Sequence, residues 1–259
     1  MDCRFTHIGT ATLLLEIGSI RLLTDPAFDS AGGSYSLGYG TSSIKLTAPA
    51  IKPETIGKID SILLSHDQHE DNLDRAGRSL LPLARQVLTT SAGAKRLGNN
   101  ATGLRSWQST VVKSGDFEIK VTAVPARHGS LGSYLIVGET TGFILEWQGQ
   151  KHGALYISGD TVWFNGIKEI ARRFQIGTAI LHIGKASFPI TGPIYFTFNT
   201  REALRAIKVL NPRTVIPIHY EGWKHFREPR SEAEKQFGLA GMNNRVHWLP
   251  LGEPVSMEI

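Results

Sequence analysis

The alternation of apolar and polar stretches along the chain predicts many short strands and fewer helices. Short apolar runs recur between turns rich in Gly, Ser and Asp, which is typical of β-strands. Strands come first and then alternate with helices, so the pattern predicts an α/β fold with two central mixed β-sheets and helices outside. The predicted strands are 4–8, 12–16, 20–24, 62–64, 87–89, 110–113, 117–124, 133–137, 142–147, 153–158, 179–182, 213–218 and 246–249.

Helical spacing of apolar residues, or a capping signal, marks the remaining regular segments. Asn199 with Glu202 and Ser231 with Glu234 match the capping box, and Gly241 would close the last helix. The predicted helices are 73–85, 91–97, 166–174, 199–210 and 231–241.

The segment 29–50 has neither period. Its part 30–43 is rich in Gly, Ser and Tyr. A loop of this length inside a compact domain is usually functional or mobile. Two interpretations remain open, a flap near a site and a surface excursion.

Composition limits the classes of protein that the chain can be. With 259 residues, 41% of them hydrophobic and 20% charged, the chain can form one domain, 1–259, with a sizeable core. The single cysteine excludes a Cys-rich zinc knuckle, so any metal must be held by His, Asp or Glu. No signal peptide or membrane span is recognisable, which predicts a cytoplasmic protein. A homo-oligomer remains open.

The net charge is +5, which weakly favours a small anionic partner. The basic residues are scattered along the chain instead of forming a run. We therefore expect no nucleic-acid binding.

The densest group of metal-ligand residues follows the predicted strand 62–64. His66, Asp67, His69, Glu70 and Asp71 lie within six positions. Imidazoles and carboxylates packed this closely suit a divalent metal. The alternative is a solvated turn that leads into a helix N-cap.

Three further strands end in residues of the same type. His128 follows 117–124, Asp160 follows 153–158, and His219 follows 213–218. A lone His or Asp at a strand end is usually structural, but together these residues would supply enough ligands for two metals. An all-His/Asp set suits zinc, with manganese or iron as alternatives.

With these motifs the chain resembles the metallo-β-lactamase superfamily. It resembles more narrowly the branch with ascorbate-6-phosphate lactonase and N-acyl-phosphatidylethanolamine phospholipase D. The resemblance implies a four-layer αββα sandwich with a one- or two-metal site at one edge. The matching stretches are His-Asp-Gln-His-Glu-Asp-Asn at 66–72, His128, Ser-Gly-Asp-Thr at 158–161, Pro-Ile-His-Tyr at 217–220, His-Ile-Gly-Thr-Ala-Thr at 7–12 and Leu-Thr-Asp-Pro at 23–26.

The resemblance also implies a ligand set. His66, His69 and His128 match the ligands of the first metal. Asp71 and His219 match those of the second metal, and Asp160 matches the bridge between the two.

One motif departs from the family pattern His-x-His-x-Asp-His. The chain has one extra residue between the two histidines, and Asn72 replaces the last His. An amide oxygen is a poorer zinc ligand than an imidazole. The second site could therefore be weak, empty or filled by a harder metal, and Asp67 could rotate in as a substitute ligand.

The resemblance implies hydrolysis by a metal-bound hydroxide of a small anionic substrate, either a phosphodiester or a lactone. Asp160 would orient the hydroxide, and Asp71 would hold the attacking water or pass its proton to the leaving group. His182, Lys185 and Tyr220 follow ligand-bearing strands, and we expect them to contact the substrate. For Lys185, an ordinary surface position is the alternative.

The alternative function is a metal-poor, non-catalytic binding or regulatory protein on the same fold. Asn72 is its only support. A nuclease is not favoured, because the chain has no room for an inserted nucleic-acid domain. A true β-lactamase is not favoured either, because no signal peptide is recognisable.

Overall fold

The computed structural model describes residues 2–38 and 40–259, and their strands form two large sheets and one small hairpin. The strands are β1 Asp2–Gly9, β2 Thr12–Ile17, β3 Ile20–Thr24, β4 Ser34–Gly38, β5 Thr41–Ile44, β6 Ser61–Leu63, β7 Val87–Thr90, β8 Ala101–Leu104, β9 Ser109–Ser114, β10 Phe117–Pro125, β11 Thr141–Glu146, β12 Ala154–Ile157, β13 Ile176–His182, β14 Thr214–Ile218 and β15 Pro254–Glu258.

The first sheet has seven strands in the order β15-β1-β2-β3-β6-β7-β8. Its β15-to-β3 half is antiparallel, and its β3-to-β8 half is parallel. The second sheet has six strands in the order β14-β13-β12-β11-β10-β9, with parallel pairs only from β12 to β14. Both sheets are mixed, as predicted.

Apolar residues cover both faces of each sheet. Phe5, Leu15, Phe143 and Leu155 belong to the core between the two sheets. A strand that is buried on both sides needs helices on its outer face. The helices are α1 Arg75–Leu80, α2 Ser91–Leu97, α3 Tyr134–Val137, α4 Asn165–Arg173, α5 Thr200–Leu210 and α6 Arg230–Leu239.

The outer layers complete a four-layer αββα sandwich. Ile167 and Ile170 of α4, Ile207 of α5 and Phe237 of α6 pack in one cluster with the outer residues of the second sheet. Leu80 of α1 packs in another cluster with the outer residues of the first sheet. This confirms the predicted fold. No helix among the described residues is long and apolar enough to span a bilayer.

Several predicted elements are wrong. The stretch 133–137 forms the short helix α3 between Gly132 and Gly138, and its apolar side chains stay partly or largely exposed instead of entering a sheet. The stretch 246–249 contributes a single bridge, from Val246 to Val215. The last helix begins at Arg230 after Pro229, so Ser231 is not its cap.

The segment 29–50 is not a structureless loop. It contains the hairpin of β4 and β5, whose alternation of Ser with Tyr, Leu and Ile offers too little apolar area to reveal a strand. Lys45 just after β5 pairs with Trp223, which ties the hairpin to the chain after β14. Met1 and Tyr39, inside the predicted domain and the predicted loop, lie outside the described residues.

The strands that carry the predicted ligands end at one edge of the sandwich. β6 belongs to the parallel part of the first sheet. β10, β12 and β14 run in the same direction within the second sheet. Their carboxyl ends meet at one edge, the usual position for a site in a layered α/β fold.

Candidate metal centre

The loop between β6 and α1 is held at both ends. The backbone N–H of Ser65 donates to Asp25 Oδ1 at 2.7 Å. At the other end, Asp74 caps α1 by accepting from the N–H of Gly77 at 2.8 Å, and Lys45 Nζ donates to Asp74 Oδ2 at 2.8 Å. This loop therefore presents its ligand residues from a fixed frame.

Three imidazoles converge at the centre of the edge. His69 Nδ1 lies 3.0 Å from His66 Nε2 and 3.1 Å from His128 Nε2. A single nitrogen cannot satisfy both contacts with one proton. These three nitrogens form one ligand group with all atoms within 4.8 Å of one another, which we call the imidazole group.

The outward nitrogens of two of these rings set their orientation. His128 Nδ1 donates to the carbonyl oxygen of Phe196 at 2.9 Å, so in the neutral ring Nε2 carries a lone pair that faces inward. His66 Nδ1 contacts Ser65 Oγ at 2.9 Å. Hydrogen bonds of this kind orient metal-binding histidines.

The imidazole group is uncharged at neutral pH. Burial, and then the neighbouring His69, lower the pKa of His128 to about 3. Burial, and then the neighbouring His69 and His128, hold the pKa of His66 well below its usual range. Burial also lowers the pKa of His69. Neutral imidazole is the form that binds a metal.

A second group lies beside the first and contains two carboxylates. Asp71, Asp160 and His219 place ligand atoms within 4.8 Å of one another, and we call them the carboxylate group. His219 Nε2 lies 3.4 Å from Asp71 Oδ2 and 3.5 Å from Asp160 Oδ1. His219 has φ of 63°, an uncommon conformation for a residue with a side chain, at the end of β14.

Charge is distributed differently in the carboxylate group. Burial opposes a charge on His219, but Asp160 and Asp71 outweigh it and raise the pKa to about 9. Burial would raise the pKa of Asp71, yet the adjacent rings of His219 and His225 hold it well below its usual range. Burial raises the pKa of Asp160 to about 6.

Both groups fit divalent cations. Asp71 Oδ1, Asp160 Oδ1 and both ring nitrogens of His219 are buried without a hydrogen-bond partner. Buried polar atoms without a partner are rare and costly, so these atoms fit a bound cation. The two groups adjoin, because His66 Nε2 lies 4.0 Å from Asp160 Oδ2.

A cavity of about 530 Å³ opens in front of the two groups. His69, Asp71 and His128 lie on its wall. The other wall residues are mostly apolar, and among them are Leu37, Leu131, Ile136, Val137, Phe188, Ile190, Ile194 and Phe196.

Comparison with known proteins gives the family. Residues 20–220 match the model of the beta-lactamase superfamily domain. The chain belongs to the metallo-β-lactamase superfamily. A UPF0173 metal-dependent hydrolase of Pyrococcus furiosus is 27% identical over 255 residues, which cover 98% of this chain and 99% of that protein. With such relatives, the chain is a metal-dependent hydrolase of the superfamily.

Solved structures agree with this fold. An isothiocyanate hydrolase from Delia radicum gut bacteria superposes with a TM-score of 0.82 at 21% identity, over 99% of this chain and 100% of that one. A metallo hydrolase from Ignicoccus hospitalis superposes with a TM-score of 0.73 at 21% identity over 100% of both chains. The narrower resemblance to the lactonase and phospholipase D branch stays a prediction.

Two residues of the altered superfamily motif, Asp67 and Asn72, contact side chains outside the two ligand groups. Asp67 was expected to be able to rotate in, but both its carboxylate oxygens pair with Arg96, at 2.5 and 2.8 Å. Asn72 is fully buried, and its Nδ2 donates to Ser65 Oγ at 3.4 Å.

The three predicted substrate-binding residues are not among the described residues that line the cavity. His182 is buried behind the carboxylate group, with Nε2 at 3.4 Å from Asp25 Oδ2. Tyr220 packs on Trp248 and His7. Lys185 is 41% exposed and lies 4.0 Å from Glu228, so it occupies the surface position. The position of these residues shortly after ligand-bearing strands therefore did not determine whether their side chains point into the cavity.

Two further residues near the carboxylate group, Asp25 and His225, were not assigned a ligand role from the sequence. Asp25 accepts from Ser65 and faces His182, and burial raises its pKa to about 7. His225 Nε2 lies 3.0 Å from Asp71 Oδ2. The signal for His225 was its position shortly after the ligand-bearing strand β14.

Proposed function

We propose that this hydrolase acts on a small, uncharged organic electrophile with an apolar body, and that zinc is its metal. We further propose that residues 1–259 form one catalytic domain. The observation that carries the proposal is the contrast between the apolar cavity walls and the polar ligand groups at its base.

The cavity wall argues against an anionic substrate. None of the described residues that line it is Lys or Arg. An anion placed there would lose its water without gaining a cation other than the metal, which is costly. Apolar surface, by contrast, gains about 25 cal/mol for each Å² that leaves water. A lactone therefore fits better than the phosphodiester that remained open from the sequence.

Asp71 and Asp160 have different roles in the proposed hydrolysis. When bound, a divalent metal lowers the pKa of water and polarises the bond under attack. Asp71 faces the cavity, so it is the carboxylate placed to hold the attacking water and to return a proton to the leaving group. Asp160 is not among the described cavity-lining residues, and its part is to hold the ligand groups together.

The structurally similar protein from Delia radicum gut bacteria is an isothiocyanate hydrolase. An isothiocyanate is small, uncharged and electrophilic at carbon. It therefore belongs, with lactones, among the first substrates to test in this apolar cavity.

The test compares neutral with anionic substrates on the zinc-loaded protein. We expect hydrolysis of an aryl lactone or an aryl isothiocyanate, and little hydrolysis of bis(4-nitrophenyl) phosphate. Removal of the metal by a chelator should abolish the reaction, and manganese and iron are tested in place of zinc. A clear preference for the phosphodiester would overturn the proposal.

Ile190→Lys sharpens the test, because Ile190 lines the cavity and is 71% exposed. The substitution adds a cation at the cavity without removing a core residue. We expect it to shift the preference towards anionic esters. Leu239→Lys is the matched control, since Leu239 is 77% exposed and is not among the described residues that line the cavity.

The alternative of a metal-poor binding protein predicts no tightly bound ion. Both ligand groups converge here with unpartnered inward atoms, which favours a loaded centre. Metal analysis of the purified protein decides between the two functions.

A further inference from the structure

We propose that His225 is a ligand of the second metal and supplies the imidazole that Asn72 lacks. Ser43 of the hairpin holds its ring in place. The inference concerns the metal centre on which the proposed function rests, but it does not depend on the substrate.

His225 reaches the same oxygen atom as a residue of the carboxylate group. Its Nε2 lies 3.0 Å from Asp71 Oδ2, and His219 Nε2 lies 3.4 Å from that oxygen. The 3.0 Å between His225 Nε2 and Asp71 Oδ2 matches the 3.0 and 3.1 Å between ring nitrogens in the imidazole group. A second imidazole nitrogen therefore lies beside Asp71 of the carboxylate group.

The other ring nitrogen of His225 is already engaged. Its Nδ1 lies 2.7 Å from Ser43 Oγ, and Ser43 is buried. A hydroxyl can accept the Nδ1–H, which leaves the Nε2 lone pair free for a metal. Most metal-binding histidines are oriented by such a bond on the far nitrogen.

The surroundings of His225 fix the ring further. It stacks on Phe188 with ring centroids 5.0 Å apart and an interplanar angle of 18°, and Phe226 meets its edge at 4.6 Å. The N–H of Lys224 donates to the carbonyl oxygen of Ile44 at 3.0 Å. The ring is 3% exposed, so its position is set by packing and not by solvent.

The other candidate imidazole is less well placed. His182 faces Asp25, at 3.4 Å, and its Nδ1 contacts Ser158 Oγ at 3.2 Å. Its ring nitrogens make no contact within 4.0 Å with Asp71 or Asp160 among the described ion pairs. His225 is therefore the better candidate.

The main test is a zinc titration of the metal-free protein with a competing chelator. We expect His225→Ala to keep the first ion and to bind the second at least about 10–100-fold more weakly than the parent. His247→Ala is the matched control, because His247 is exposed. Unchanged affinity for both ions in His225→Ala, or loss of the second ion in His182→Ala alone, would overturn the proposal.

Cobalt binding can distinguish two roles of His225, a metal ligand and a residue that only positions Asp71. At saturating cobalt, the proton NMR spectrum shows hyperfine-shifted, exchangeable N–H signals from bound imidazoles. We expect His225→Gln to lose one of these signals while both ions remain bound. An unchanged number of signals would mean that His225 is not a ligand.

Ser43 gives a milder variant in case substitution of His225 prevents folding. Ser43→Ala removes the hydroxyl under the ring, and Ser43→Thr keeps it. We expect weaker second-ion binding in Ser43→Ala and recovery in Ser43→Thr, with the first ion unaffected in both. Equal second-ion affinity in Ser43→Ala and the parent would contradict the role of Ser43. Two ions bound through His225 in a protein that hydrolyses no tested substrate would sink the proposed function alone.

Discussion

The imidazole group and the carboxylate group lie side by side but prepare for a metal in different ways. The first consists of neutral rings with lowered pKa values. The second contains a protonated His219 between the carboxylates of Asp71 and Asp160. A cation entering the first group displaces no proton at neutral pH, whereas one entering the second must displace the proton of His219.

This difference suggests an order of loading. The imidazole group is ready to bind over a wide pH range, and the carboxylate group becomes ready only as the pH rises. Asp160 links the two groups, because one of its oxygens faces His66 and the other faces His219. The two ions should therefore differ in pH dependence even where they are equally tight.

Asp160→Ala should have the largest effect, because it removes the link between the groups. We expect activity to fall at least about 100-fold, while stability of the metal-free protein changes little, since no large apolar side chain is lost. Activity and denaturant unfolding are measured on the same preparation. A variant that unfolds under metal-free conditions where the parent is folded would show that Asp160 is structural.

The pH dependence of metal affinity should separate the two groups directly. Because the pKa of His219 is about 9, its proton competes more strongly as the pH falls below that value. Second-ion affinity should therefore drop about 100-fold from pH 8 to pH 6, at about tenfold per unit. First-ion affinity should stay nearly constant there, because the pKa of His128 is about 3. Parallel pH profiles for both ions would remove the distinction.

Lys45→Met tests the link between the hairpin and the carboxylate group. Lys45 and Asp74 form a buried ion pair at 2.8 Å, and its loss leaves a buried carboxylate without its cation. We expect the free energy of unfolding to fall by about 3 kcal/mol, and the second ion to weaken more than the first. Denaturant unfolding and zinc titration measure the two effects. An unchanged second ion would mean that the hairpin does not support this group.

Lys185→Ala should have the smallest effect. Lys185 is partly exposed to solvent, and its Nζ lies 4.0 Å from Glu228. We expect less than about a twofold change in metal affinity and in kcat/KM, because exposed pairs contribute little. A large rise in KM for anionic substrates would mean that Lys185 contacts the substrate, and it would weaken the proposal of an uncharged substrate.

The sequence predicted the sandwich well because buried strands and helix caps are local signals. Each of His66, His128, Asp160 and His219 lies within three residues of the end of its strand, so its position at one edge could be expected from the sheet alone. The roles assigned to these residues stay predictions until metal and activity are measured.

The sequence could not predict the long-range contacts. The bond between Ser43 and His225 joins residues 182 positions apart, and it depends on a hairpin with little apolar pattern. His182 and Tyr220 were misplaced because a residue at a strand end can face either layer. Only packing decides whether it lies in front of the ligand groups or behind them.

Each ligand group takes residues from both sheets. The loop after β6 supplies His66, His69 and Asp71, while the second sheet supplies His128, Asp160 and His219. A bound ion would thus act as a cross-link between the amino-terminal and carboxyl-terminal halves of the chain. Because such an ion binds the folded state and not separated halves, it would raise the melting temperature with metal concentration. The metal centre would then also stabilise the whole sandwich by joining its two sheets.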